Sequence, residues 1–206
     1  MNLVLVDDHA IVRTGLKRLL LASMAAEIRE AASGREALAL LRKAPADLVI
    51  LDLNLPDLGG LELLKRIVQL ERGRVLMFSM HAEPLYVSRA LEAGAAGYVS
   101  KNIAPEELVT AVRKVAGGGR YVEQEIAQRL ALGGAPSQTI DQLSTRELEI
   151  MRLLGQGRSV AEIGFALGVS YKTVANTMTQ MKAKLGVART ADLVRMSVSS
   201  GVIQGL

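Results

Sequence analysis

Over residues 1–118 the chain alternates short apolar runs with longer segments of helical period, and no other feature restricts its fold as much. The runs are Leu3–Val6, Ile28–Ala32, Leu48–Leu51, Val75–Phe78 and Gly97–Val99. Between and after them lie Ile11–Ala22, Arg35–Lys43, Leu61–Leu70, Pro84–Ala93 and Glu106–Val115. Ser33-Gly-Arg-Glu36 has the spacing of a capping box, and Pro105 suits the first turn of a helix. Five strands alternating with five helices predict an α/β domain, a five-stranded parallel sheet wound doubly and covered on both faces. Gly117-Gly118-Gly119 should stop the last of these helices.

The segment 119–142 reads as a linker with room for one short helix over 123–132, followed by "GGAPSQT" at Gly133 to Thr139. From Leu143 to 206 the strand pattern is gone. Capping boxes at Ser144–Glu147 and Ser159–Glu162 start two helices; a tight turn at Gly168-Val169-Ser170 leads into a third, which runs to about Leu185. "GVART" breaks it, and Ala191 to Val198 forms a fourth, giving a small all-helical domain. Charge follows this division. Residues 1–118 hold 15 Lys and Arg against 14 Asp and Glu, residues 119–142 hold 2 against 3, and residues 143–206 hold 8 against 4. The whole excess of +4 therefore falls in the helical part, which suits a polyanion partner. With no Trp and aromatics at 3%, stacking on single strands is not expected.

The strand ends carry the chemistry. The first run ends in Asp7-Asp8, the third in Asp52, the fourth in Ser79 and the fifth in Ser100-Lys101. In a doubly wound sheet, ligands bind outside the carboxyl ends of the strands, where the winding reverses. If the first and third strands are adjacent, three carboxylates converge there, joined by a hydroxyl and an ammonium. Carboxylates packed together repel, and one takes up a proton unless a cation intervenes. Oxygen ligands favour Mg²⁺, which keeps waters and accepts phosphate oxygens. Lys101 and Ser79 can hold the remaining phosphoryl oxygens. The set suits phosphoryl transfer onto a carboxylate, with Asp52 as the nucleophile that becomes an aspartyl-phosphate. Taken singly, Asp7 and Asp8 read as N-caps for the helix near Ala10, and Asp52 as a turn residue; their joint placement decides. His9 and His81 are expected to be solvated loop residues. With no Cys and two His, no transition-metal site is expected.

Together "VDDH", "LVILDLNLPDLGG", "FSMH" and "GYVSK" resemble the receiver domain of bacterial two-component response regulators over about residues 1–118. The resemblance implies a flavodoxin-like sheet, a histidine kinase as phosphodonor and Asp52 as phosphoacceptor. It implies Mg²⁺ held by Asp8, Asp52 and the backbone carbonyl of Asn54, with Asp7 acting mostly through water. Ser79 and Lys101 would contact the phosphoryl group, and Tyr98 matches the switch aromatic. Ser79 stands where members often carry Thr, and keeps the hydroxyl. Asn54 and His81 match positions that tune phosphoryl lifetime.

On a wheel of 100° per residue, Val174, Met178, Met181 and Leu185 of "YKTVANTMTQMKAKL" share one side of the helix. Lys172, Asn176, Thr179 and Ala183 lie opposite, with Ala175 and Gln180 beside them. Such a face on the second helix of a helix-turn-helix suits the major groove of double-stranded DNA. Asn176 and Gln180 can pair with adenine, Ala175 can meet a thymine methyl, and Lys172, Lys182, Lys184 and Arg189 can reach phosphates. Gly164 puts a minimal side chain where the two helices cross. Carried by the stretch from Leu143 to Val187, residues 143–206 resemble the LuxR-type helix-turn-helix, departing at Thr177, where many members carry His. The two domains together resemble the NarL/FixJ class. That implies a transcription factor acting as a homodimer, with Met196 and Val198 as candidates for the dimer contact.

The expected protein is a non-enzymatic DNA-binding regulator under phosphoryl control. Two rival readings share parts of the pattern. A Mg²⁺-dependent phosphohydrolase of the aspartyl-phosphate kind needs a second acid two residues after the nucleophile, where this chain has Asn54. A phosphorylation-independent regulator would use the receiver as a dimerisation platform and incorporate no phosphate; the intact acid set argues against it. Two acids follow the first four apolar residues, too early for a signal peptide, and no apolar run nears the ~18 residues of a span. A cytoplasmic protein without a membrane partner is expected.

Overall fold

The structure, a computed structural model, describes residues 1–132, 140 and 142–199. The chain divides into two compact units, one built on the sheet and one on the last four helices. The first alternates strands β1 (Asn2–Val6), β2 (Glu27–Ala31), β3 (Leu48–Leu51), β4 (Arg74–Ser79) and β5 (Gly97–Ser100) with helices α1 (Ala10–Ser23), α2 (Gly34–Lys43), α3 (Gly60–Gln69), α4 (Pro84–Glu92) and α5 (Pro105–Ala116). The order β2-β1-β3-β4-β5 is parallel throughout, so the winding reverses between β1 and β3. Leu3, Leu5, Leu48, Ile50, Leu76, Phe78 and Val99 form one core with Leu16 and Leu20 of α1 and Leu108, Val112 and Val115 of α5. Leu63, Leu64 and Ile67 of α3 are fully buried, as are Ala37 and Leu41 of α2. β2 departs from the apolar pattern: it is an edge strand carrying Glu27, Arg29 and Glu30, and edge charges oppose pairing with another chain.

Among the described residues the sheet has six strands where five were expected. β6 (Tyr121–Val122) pairs with β5 in parallel, Gly97 opposite Tyr121. Two half-buried residues carry no periodicity, so no pattern marks them. Gly97 makes room for them: a Cβ there would lie 2.6 Å from the Tyr121 carbonyl oxygen. α5 stops at Gly117, and the Gly119 carbonyl accepts from Arg74 Nη2 at 2.6 Å. A short helix α6 (Gln124–Leu132) follows. The expected linker at 133–139 lies outside the described residues.

The second unit holds α7 (Thr145–Gly155), α8 (Val160–Ala166), α9 (Tyr171–Leu185) and α10 (Thr190–Ser199). Both of its expected capping boxes are complete, at Ser144–Glu147 and Ser159–Glu162. Ser33 caps α2 in half the expected manner: its hydroxyl accepts from the Glu36 N–H, but the Glu36 carboxylate reaches the N–H of Ala32 instead. α9 ends at Gly186 in the left-handed conformation, φ +67°, which suits glycine at this position. Gly164 faces the turn before α9, where an added Cβ would stand 2.9 Å from the Val169 carbonyl oxygen. An ordinary side chain there would force the turn away from α8.

Candidate functional site

The sheet register delivers the first group of candidate residues. Val6 lies opposite Leu51, so Asp7 and Asp52 are the next residues out on neighbouring strands, at the reversal point. The Asp52 N–H donates to the Val6 carbonyl at 2.9 Å, and the Asp7 N–H to Ala31 at 3.2 Å. Ser79 pairs with Ser100 across β4 and β5, and the Lys101 N–H donates to the Ser79 carbonyl at 2.9 Å. From there the Lys101 ammonium reaches Asp52 Oδ2 and Asp7 Oδ2, each at 2.7 Å. Asp8 is more exposed. Its carboxylate meets His9 Nδ1 at 2.6 Å, and that nitrogen lies 3.3 Å from Asp7. Atoms of Asp7, Asp8, His9 and Asp52 able to bind a metal lie within 4.8 Å of one another. His9 stays solvent-facing, as expected, yet belongs to this cluster.

Burial pushes the Asp52 carboxyl above its ordinary range; Lys101 and the Asn54 N–H oppose the rise, and Asp7 adds to it. Burial acts to lower the Lys101 ammonium, but Asp52 and Asp7 outweigh it, and its pKa is raised. One lysine thus serves two buried acids. Oxygen donors that already share one cation, and are short of positive charge, fit a hard divalent ion.

The loop after Asp52 is tightly held. Asp57 accepts from the N–H groups of Gly34, Arg35 and Leu58 at 2.9, 3.0 and 2.7 Å, tying this loop to the start of α2. Those bonds outweigh burial and hold the Asp57 carboxyl below its ordinary range. At Gly60 a Cβ would lie 2.4 Å from the Asp52 carbonyl oxygen, so the loop closes only over glycine.

His81 is a correction to the sequence reading. It is buried, not solvated. Its ring stacks on Tyr86 of α4, centroids 4.6 Å apart, and its Nε2 is 2.9 Å from Asn54 Nδ2. Its carbonyl accepts from the Tyr98 hydroxyl at 2.6 Å, and its N–H donates to Ser79 Oγ at 3.2 Å. Tyr98 is fully buried, turned inward onto this loop. The partners of His81 come from positions 54, 79, 86 and 98, so no local pattern could reveal its burial.

The second group lies on α9. Val174, Met178, Met181 and Leu185 are its buried residues, as the wheel predicts. Lys172, Asn176, Thr179 and Gln180 are exposed; Ala175 and Lys182 are half-buried. The Thr179 hydroxyl donates to the Ala175 carbonyl of its own helix at 3.1 Å. Lys184 is exposed, and its ammonium lies 2.8 Å from both oxygens of Glu147, which is buried. The physical reason is a buried acid at the start of α7 that needs a cation. Arg189 is exposed and lies near Asp192.

Comparison with known proteins shows the family. Residues 3–113 match the response regulator receiver domain, and residues 141–197 match the bacterial regulatory proteins of the luxR family. The chain is 39% identical to the transcriptional activator protein ExaE of Pseudomonas putida over 211 residues, covering 99% of each. It is 42% identical to the transcriptional regulatory protein UhpA of Escherichia coli over 196 residues, covering 94% of this chain and 96% of that one. Among solved structures, RcsB of Salmonella enterica serovar Typhimurium, bound to promoter rprA in the presence of phosphomimetic BeF₃⁻, superposes with a TM-score of 0.61 at 27% identity. That alignment covers 95% of this chain and 96% of that one. The chain belongs to the response regulators of the NarL/FixJ class, with a receiver domain and a LuxR-type DNA-binding domain. Among the described residues no helix is long and apolar enough to cross a membrane.

Proposed function

We propose that Asp52 accepts a phosphoryl group from a histidine kinase and that its phosphorylation governs DNA binding by α9. The observation that carries this reading is the Lys101 ammonium held 2.7 Å from both Asp7 and Asp52 at the reversal point of the sheet. Asp8, Asp52 and the Asn54 carbonyl would hold Mg²⁺, with Asp7 acting through water; bound there, the ion supplies charge neutralisation for an in-line transfer. Asp52 is the nucleophile: its oxygen forms the bond to phosphorus as the donor's leaving group departs. Lys101 then pairs with a phosphoryl oxygen and Ser79 donates its hydroxyl to another. Drawing the Ser79 hydroxyl toward the phosphoryl group takes it from the His81 N–H, and Tyr98 bonds to that same residue. The movement therefore reaches Tyr98 and the face around β4 and β5.

On DNA, Lys172 and Lys182 contact phosphates, with Arg189 beyond the end of α9, while Ala175, Asn176 and Gln180 face base edges and Thr179 lines the groove. Lys184 is retained by Glu147 as a brace. The active form is a dimer reading half-sites about one helical turn apart, and residues 119–142 link the two functions. The relatives are transcriptional regulators, and turnover of a substrate forms no part of this reading.

The test is DNA affinity before and after acetyl phosphate with Mg²⁺, for wild type and Asp52→Asn. A change of tenfold or more in the wild type alone is expected. Equal responses from the two proteins would reject phosphoryl control.

A further inference from the structure

The chain has four tyrosines, and three are engaged inside the protein. Tyr98 donates to the His81 carbonyl, Tyr121 bonds Glu107, and Tyr86 stacks on His81. Tyr171 differs. It is the first residue of α9, 63% exposed, and among the described residues its hydroxyl makes no hydrogen bond. A large ring left in water with a free hydroxyl gains nothing for the fold. Tyrosine is suited to surfaces where an apolar ring and a polar tip both meet a partner.

Position supplies the partner. In a helix-turn-helix the N-terminal residues of the second helix reach the base edges. Tyr171 stands at that end, one residue before Lys172 and four and five before Ala175 and Asn176, so it continues the face already assigned to DNA. Its base is fixed. The Ser170 hydroxyl accepts from the Thr173 N–H at 3.1 Å and pairs with the Thr173 hydroxyl at 2.9 Å. Gly164 lets α8 approach to where an added Cβ would lie 3.6 Å from the Tyr171 nitrogen. The backbone is thus held, and the side chain is left to the partner.

We propose that Tyr171 is a specificity-determining contact to double-stranded DNA, resting on the assignment of α9 as the recognition helix. The ring lies against an apolar edge of the groove, such as a thymine methyl, and the hydroxyl donates to a phosphate or base oxygen. The contact is uncharged. It therefore adds affinity without releasing counterions, unlike the neighbouring Lys172, whose phosphate contact contributes to the salt slope.

The test uses the full chain and a duplex selected by the wild type from a random pool, with affinity measured over a series of KCl concentrations. Tyr171→Ala should weaken binding about tenfold and leave the slope of log K against log [KCl] unchanged. Tyr171→Phe should fall between it and wild type. Lys172→Ala should reduce the slope by about one unit. Repeating the selection with Tyr171→Ala should relax preference at one position per half-site. Unchanged thermal melting of Tyr171→Ala excludes misfolding. If Lys172→Ala and Asn176→Ala lose affinity while Tyr171→Ala binds and selects as wild type does, α9 remains the recognition helix and Tyr171 is not a contact. If none of the three changes affinity, the assignment of α9 itself fails.

Discussion

Each unit contains a buried acid facing a lysine, and the two pairs behave in opposite ways. In the sheet unit the Lys101 ammonium lies 2.7 Å from Asp52; in the helical unit the Lys184 ammonium lies 2.8 Å from Glu147. The acid side chains are equally withdrawn from water, at 3% and 5% exposure. Yet the Asp52 carboxyl is raised above its ordinary range and the Glu147 carboxyl is lowered. Burial raises both. At Glu147, Lys184 bonds both oxygens and the Ser144 N–H donates at 2.7 Å, and these outweigh burial. At Asp52 the one lysine is shared with Asp7, and two carboxylates remain short of positive charge. A fully compensated pair is a brace. An under-compensated one costs the fold some stability, and it is the one that the proposed function makes the seat of a cation and a phosphoryl group.

The largest effect that sharpens this contrast is on stability. Glu147→Ala removes a charge-assisted bond and one arm of a capping box, and should cost the helical unit about 2–4 kcal/mol. Asp52→Asn leaves Lys101 paired with Asp7 and removes a crowded charge, so its sheet unit should be as stable as the wild type or more so. Urea unfolding, with amide exchange of α7 and β3 to locate each loss, measures both. A loss at Asp52→Asn matching that at Glu147→Ala would break the contrast.

A smaller effect is the direction of pH dependence. A lowered acid contributes stability above its unfolded value, near 4.5 for Glu147, and loses it as pH falls through the folded value. The deficit of Glu147→Gln relative to wild type should therefore shrink on acidification below that pH. A raised acid does the reverse. Stability falls as pH rises from 3.8 through the folded value of Asp52, so the advantage of Asp52→Asn should grow from pH 3.8 upward. Unfolding midpoints of both variants against wild type across this range give the two signs.

Much of this was legible in the sequence because chain alternation implies a parallel, doubly wound sheet whose ligands bind outside the carboxyl ends of its strands. If the first and third runs are neighbours, the residues that end them must meet, and that pairs Asp7 with Asp52. The α9 face was legible for the same reason: a helix has one period, and Val174, Met178, Met181 and Leu185 obey it. What could not be read depended on contacts between distant segments. The pairing of Lys184 with Glu147 could not be read because the two lie 37 residues apart. The burial of His81 has no local signal because Asn54 and Tyr86 reach it from another loop and a helix. β6 was missed because two residues are too few to show a period. The second arm of the Ser33 box does not form because the Glu36 carboxylate accepts from the Ala32 N–H instead.

The most direct test of the strand-tip pocket is the intact mass of the protein after incubation with acetyl phosphate and Mg²⁺, for wild type and Asp52→Asn. One phosphoryl increment on the wild type, lost on chelation of the metal before the reaction and absent from the variant, is the predicted result. An increment that persists in Asp52→Asn, or none on the wild type with any phosphodonor, would contradict the assignment of this pocket.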